Sequence, residues 1–292
     1  MRSLLFVPAD GGKKLDKALA SGADAVIVDL EDSVAPERKA AARDIAASFL
    51  RDAIKSATRP RLLVRVNGLQ TGLTDADLDA VVPARPDAIL LPKAEGSASI
   101  IHAHAKLTAR EAIHGLDDGH VKIIAIATET AAALFVAGSY AGSSQRLSGL
   151  TWGAEDLSAD LGAEANRDTE GNFLDPYRLA RTLCLAGAAA ARVDAIDTVY
   201  VDFRNDAGLR SECEDARRDG FTGKMAIHPA QVAAINDVFT PTPQALATAR
   251  AIVAAFAAAP GAGTIGINGV MYDRPHLARA MRLLKQAEEQ QD

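Results

Sequence analysis

Short apolar runs rich in β-branched residues alternate along the chain with longer stretches whose apolar positions recur at helical spacing. The runs are "LLFVP", "AVIVDLE", "RLLVRVN", "AILLPK", "IIAIATE", "LSGLTWG", "DTVYVDF" and "KMAIHP". Between them lie segments such as "KKLDKALASG", "PERKAAARDIAASFLRDAIKSA" and "SASIIHAHAKLTAREAIHG", several closing on glycine. Nearly continuous apolar strands separated by helices indicate parallel strands buried on both faces. Eight such units predict a (β/α)8 barrel, which needs about 250 residues. A doubly wound open sheet is the competing topology, but no strand leads into a G-x-G-x-x-G turn. The expected organisation is an α/β barrel over residues 1–240, followed by a C-terminal helical extension over residues 241–292.

The ends of the runs carry the polar chemistry. Asp29, Glu31 and Asp32 close the second run, Arg65 and Asn67 the third, and Lys93 the fourth. Glu129 closes the fifth, Glu155 and Asp156 the sixth, Asp202 the seventh and His228 the eighth. A barrel gathers all C-terminal strand ends on one face, where such enzymes place their active sites.

Glu129 and Asp156 each have a plain reading as first-turn acids that favour a helix dipole. On adjacent strands they also form a carboxylate pair facing one cavity, where two bare charges would repel. A hard divalent cation removes that conflict, and two carboxylates with waters suit Mg²⁺. Asp29, Glu31 and Asp32 would then orient those waters. Arg65 needs an anionic partner, either a neighbouring acid or a substrate carboxylate or carbonyl held by its fork. Lys93 is read as an ion-pairing or positioning residue in preference to a Schiff-base lysine. His228 precedes a proline at a helix start and reads as a packing and capping residue.

Composition narrows the classes without choosing among them. Of the 292 residues, 48% are hydrophobic and 24% charged, the net charge is −6, and aromatics are 4%. No basic stripe is interleaved with stacking residues, so no nucleic-acid partner is expected. No apolar run approaches the roughly 18 residues of a membrane span. Without a signal-like start, the expected location is cytoplasmic. Cys184 and Cys213 lack ligand-like spacing and are expected to remain thiols.

Taken in order, "LLFVPAD", "GADAVIVDLEDSV", "LLVRVN", "ILLPK", "TET", "GAEDL", "GKMAIHPAQVAAINDVFTP" and "NGVMYD" resemble the citrate lyase β-subunit-like family. That family sits in the HpcH/HpaI aldolase group, with malyl-CoA and citramalyl-CoA lyases and malyl-CoA thioesterases. The resemblance implies a TIM barrel that binds Mg²⁺ and assembles as a homotrimer or hexamer. Its partners would be a CoA thioester and a small α-keto acid. The expected reaction is Claisen-type cleavage of a 3-hydroxyacyl-CoA into an acyl-CoA and an α-keto acid. The alternatives are hydrolysis of the same thioester, or action as a citrate lyase β subunit on acyl-carrier-bound citryl groups.

Residue by residue, the resemblance places the metal on Glu129 and Asp156, the keto acid or substrate carbonyl on Arg65, and acids around the metal's waters at Glu31 and Asp32. Lys13 and Lys14 fall in the stretch that helps hold the CoA phosphates. There the family more often has an arginine in "PGDRPDR"-like sequence, where this chain has "PADGGKK". Asp273, in "GVMYD", matches an aspartate that a C-terminal extension donates to a neighbouring subunit. It also reads as the N-cap of the helix that follows, with Pro275 in the first turn.

Overall fold

The computed structural model describes residues 1–288 and divides into two compact units, Met1–Asn236 and the chain from Asp237 onward. The first unit is a closed barrel of eight parallel strands in sequence order, β1 to β8. Its elements run β1 (Ser3–Pro8), α1 (Gly12–Leu19), β2 (Ala25–Asp29), α2 (Lys39–Ala53), β3 (Arg61–Arg65), α3 (Thr74–Val81), β4 (Ala88–Leu91), α4 (Gly96–Ile113) and β5 (Lys122–Thr128). They continue with α5 (Ala131–Leu134), β6 (Leu147–Trp152), α6 (Ala154–Leu161), α7 (Asp175–Ala191), β7 (Asp194–Asp197), α8 (Asp206–Asp219) and β8 (Gly223–Ala226), and α9 (Ala230–Phe239) runs across the boundary between the units. The expected (β/α)8 TIM barrel is the fold observed.

Alternation along the strands separates an inner set of side chains from an outer one. Leu4, Ile27, Leu63, Leu90, Ile124, Ile196 and Met225 belong to one buried cluster that fills the barrel. Two residues beyond Ile27 and Leu63 on the same face come Asp29 and Arg65, which pair in register. The alternation that packs the core therefore also aims a carboxylate and a guanidinium into the mouth. In β5 the register slips between Ile126 and Thr128. Thr128 Oγ1 consequently donates to the Ala180 carbonyl on α7, 3.1 Å away, while Glu129 lines the cavity. A bulge of this kind re-aims a side chain at a strand end.

One strand differs from expectation. β7 is Asp194–Asp197, and most of "DTVYVDF" forms the loop beyond it. That run has the stronger β-propensity, but the short "DAID" segment is the one that pairs with β6 and β8. Asp202 is accordingly an exposed loop residue, and the acid at the end of β7 is Asp197.

The second unit contains α10 (Pro243–Ala258), a hairpin of β9 (Thr264–Ile267) and β10 (Val270–Asp273), and α11 (Arg274–Glu288). The hairpin was not expected in a helical extension. It turns at Asn268-Gly269, both with positive φ of 50° and 79°, the backbone that a two-residue primed turn requires. Ala249, Ile252, Phe256 and Ala280 form this unit's own buried cluster, with Ile265, Ile267 and Tyr272 packed against it.

Candidate active site

A cavity of about 310 Å³ opens at the C-terminal ends of the barrel strands, with Asp29, Arg65, Glu129 and Asp156 among its lining residues. Asp29 is buried and folds the "DLEDS" turn around itself, accepting from the backbone N–H of Glu31 at 2.9 Å and of Ser33 at 3.3 Å. Lys39 braces the same turn through the Leu30 and Glu31 carbonyls, each 2.8 Å away. Arg65 Nε and Nη2 donate to the two Asp29 oxygens at 2.7 Å each, and Nη1 lies 3.0 Å from Glu31 Oε2. Burial alone would lower the Asp29–Arg65 pair's tendency to ionise. The fork geometry outweighs it, holding the Asp29 carboxyl below and the Arg65 guanidinium above their usual ranges.

Lys93 follows β4 with φ of +50°, a conformation uncommon for a residue with a Cβ. Its backbone N–H donates to Glu129 Oε2 at 2.7 Å. Its ammonium lies 2.8 Å from Glu31 Oε1, 3.1 Å from Asp156 Oδ1 and 3.6 Å from Asp32 Oδ2. Those acids hold the lysine charged well above its usual range against the opposing effect of burial. It is the ion-pairing residue expected, with no free amine for a Schiff base.

Glu129 follows β5 and precedes Thr130, whose side chain caps α5 by accepting from Ala133 N–H. Glu129 is therefore a strand-end acid and not a first-turn helix residue. Its pKa is pushed well up, first by burial and then by the negative charge of Asp156. Asp156 sits in the first turn of α6. Between the two elements, Gly153 packs where an added Cβ would lie 3.3 Å from Glu129 Cγ and 3.4 Å from Oε1. A side chain there would crowd the carboxylate.

Asp29, Glu31, Asp32, Glu129, Glu155 and Asp156 thus stand against Arg65, Lys93 and Arg167 at the mouth, leaving it short of positive charge. Glu129 Oε1 makes no hydrogen bond among the described residues, and Asp156 is engaged only through Oδ1. Among the described residues no three His, Cys, Asp or Glu side chains converge as a metal cluster. Two carboxylates, each with an oxygen to spare, fit a hard cation that keeps most of its waters, and do not fit a zinc-type nitrogen or thiolate cage.

The other expected residues fall elsewhere. Lys13 and Lys14 occupy the exposed first turn of α1, with no ion pair among the described residues. Two cations there oppose the helix dipole, which an anion would offset. Asp273 lies in the second unit, where its Oδ1 accepts from the His276 backbone N–H at 3.3 Å and also pairs with His276 Nδ1. It caps α11, and its side chain is 39% exposed. His228 caps α9 through Nδ1 and stacks on Phe203.

A second set of residues escaped the sequence reading. Asp197 is fully buried and accepts from Trp152 Nε1 at 2.8 Å and from Lys224 Nζ at 2.9 Å. Lys224 also pairs with Glu212 at 2.7 Å, and Glu212 with Arg167 at 2.9 Å. The Arg167 guanidinium lies 3.6 Å over the Phe173 ring, whose edge meets Trp152 at 5.0 Å. This closed ring fixes the loop carrying Arg167 and Phe173 as a cavity wall. A lysine inside "GKMA" was the available signal, since a buried ammonium requires a buried acid.

The family matches place this barrel in a class, the carbon–carbon bond lyases built on a TIM barrel. Residues 2–229 match the HpcH/HpaI aldolase/citrate lyase family, and residues 177–289 match the C–C bond lyase of the TIM-barrel fold. The chain belongs to the HpcH/HpaI aldolase/citrate lyase family. It is 36% identical to a (3S)-malyl-CoA thioesterase of Cereibacter sphaeroides, over 98% of this chain and 94% of that one. It is 33% identical to the mitochondrial citramalyl-CoA lyase of Rattus norvegicus, over 97% and 85%. The crystal structure of CitE from Mycobacterium tuberculosis in complex with magnesium, acetoacetate and coenzyme A superposes with a TM-score of 0.76. That chain is 34% identical, with 98% of both chains covered. No helix among the described residues is long and apolar enough to cross a membrane.

Proposed function

We propose that this protein is a Mg²⁺-dependent lyase that cleaves a short 3-hydroxyacyl-CoA of the malyl-CoA or citramalyl-CoA type into an acyl-CoA and an α-keto acid. The observation that carries this reading is the pair Glu129 and Asp156, each with an oxygen unengaged, in a mouth short of positive charge. Glu129 and Asp156 would hold the cation, which when bound supplies Lewis-acid polarisation of the substrate's oxygens.

The remaining chemistry belongs to the chain. Cleavage passes the 3-hydroxyl proton to solvent water, breaks the C2–C3 bond and leaves its electron pair on the thioester enolate. The keto acid departs, and the enolate takes a proton at C2. Arg65, held rigidly by Asp29 and Glu31, would stabilise the charge on the oxygen that becomes the keto group. Asp29 and Glu31 spend their charge on Arg65 and Lys93, so their part is to position those cations. Lys13 and Lys14 would meet the phosphates of CoA at the start of α1. The enolate's proton would come from Asp273, delivered by the C-terminal extension of a neighbouring copy in a homotrimer or hexamer. Its exposure suits delivery to another copy. Because the His276 contacts hold the carboxyl below its usual range, it would take up a proton from water before passing it to C2, with the cap on α11 fixing its direction.

Support comes from the family membership and from relatives named as a citramalyl-CoA lyase and a malyl-CoA thioesterase. Product identity is the test. An α-keto acid with acyl-CoA marks the lyase, whereas a hydroxy acid with free CoA marks hydrolysis.

A further inference from the structure

Lys93 joins the two carboxylates by different parts of one residue. Its backbone N–H holds Glu129 Oε2 at 2.7 Å, and its ammonium lies 3.1 Å from Asp156 Oδ1. The backbone is fixed, since φ of +50° costs energy for a residue with a Cβ and survives only where surrounding contacts impose it. The side chain is free to move, because four rotatable bonds carry a compact charge. It also has other seats at hand, Glu31 at 2.8 Å and Asp32 at 3.6 Å. Arg65 has no such freedom, since its fork is committed to both Asp29 oxygens.

We infer that the Lys93 ammonium is a resident counter-ion that holds Asp156 in the cation-free protein and cedes it to Glu31 and Asp32 when the divalent cation binds. Lys93 thereby sets the metal affinity of the site, by competition through its side chain, while its backbone N–H keeps Glu129 aimed. The inference rests on the reading of Glu129 and Asp156 as cation ligands. It makes Lys93 a positioning residue with an electrostatic cost built in. A lysine that merely ordered the carboxylates would help the cation bind, whereas a competing one hinders it. The sign of the effect on affinity therefore separates the two roles.

The test is calorimetric titration of MgCl₂ into the full-length protein, paired with thermal melts in EDTA. Wild type is compared with Lys93→Met, which keeps most of the stem, and with Lys93→Asn, whose side chain tolerates positive φ. Removing a like charge beside a shared carboxylate should lower the Kd for Mg²⁺ by about tenfold. The variants should melt several degrees below wild type in EDTA and regain most of that loss in excess Mg²⁺. Equal or weaker Mg²⁺ binding in both variants would overturn the inference, as would a metal-free Tm at or above that of wild type. Glu129→Gln provides the separation from the underlying reading. If that variant loses Mg²⁺ binding while Lys93→Met binds as wild type does, Lys93 alone is misassigned. If wild type and Glu129→Gln bind Mg²⁺ alike, the ligand assignment falls and the Lys93 inference falls with it.

Discussion

Arg65 and Asp29 stand at register-paired positions on neighbouring strands and share two parallel hydrogen bonds of 2.7 Å. The pair is almost fully withdrawn from water, with side-chain exposures of 13% and 2%. Arg65→Lys keeps the charge and loses the fork, so the protein should fold while kcat falls by about 10²-fold. Asp29→Asn leaves a buried guanidinium without its main partner and should cost roughly 3 kcal/mol by urea denaturation. A fully active Arg65→Lys enzyme would remove the guanidinium from the chemistry.

Glu129→Gln and Asp156→Asn should each weaken Mg²⁺ binding by at least about tenfold, because each removes one of two anionic ligands. In EDTA the first variant should melt at or above the wild-type temperature. Burial and the Asp156 charge already disfavour the ionised Glu129, so a neutral isostere relieves strain in the metal-free protein. Wild-type affinity in both variants would contradict the assignment.

The barrel was legible because eight apolar runs with helical spacers leave few other topologies. The mouth was legible because strand-end acids and cations had nowhere else to converge. Other features depended on contacts that no local pattern encodes. The β5 bulge that turns Glu129 inward, the slide of β7 to "DAID" and the Lys93 bridge are set by cross-strand register. The Trp152–Asp197–Lys224–Glu212–Arg167–Phe173 ring spans more than seventy positions of sequence. Asn268-Gly269 was a local signal, a two-residue turn between Ile267 and Val270, and it marks the hairpin in what read as a glycine-rich tail.

Asp197 sets a pH limit on stability. Burial alone would raise its carboxyl, but Lys224, Arg181 and the Trp152 indole together outweigh burial and hold it below the ordinary value. A depressed folded-state pKa contributes stability above the unfolded value of about 3.9, and that stability is lost as pH falls through the folded value. Urea melts should therefore show this contribution intact from pH 7 to 5 and beginning to decline only below about pH 4. Asp197→Asn should cost about 3 kcal/mol at pH 7 and less at pH 3. An equal cost at both pH values would mean that the charge is not what matters.

Asp273→Ala removes the cap on α11 and should cost about 1 kcal/mol of stability. Mg²⁺ affinity should not change, and turnover should drop by about 10²-fold. If the aspartate serves a neighbouring copy, mixing inactive Asp273→Ala and inactive Glu129→Gln proteins under exchange conditions should restore part of the activity. No recovery in proven hybrids would return Asp273 to the role of a cap alone.

The most direct measurement follows products from malyl-CoA and citramalyl-CoA, with and without Mg²⁺, counting keto acid and free thiol in the same sample. The expected result is glyoxylate or pyruvate in equal amount to acyl-CoA, without early free thiol, and abolished by EDTA and by Glu129→Gln. Free CoA with malate or citramalate and no keto acid, or cleavage that persists in EDTA, would contradict it.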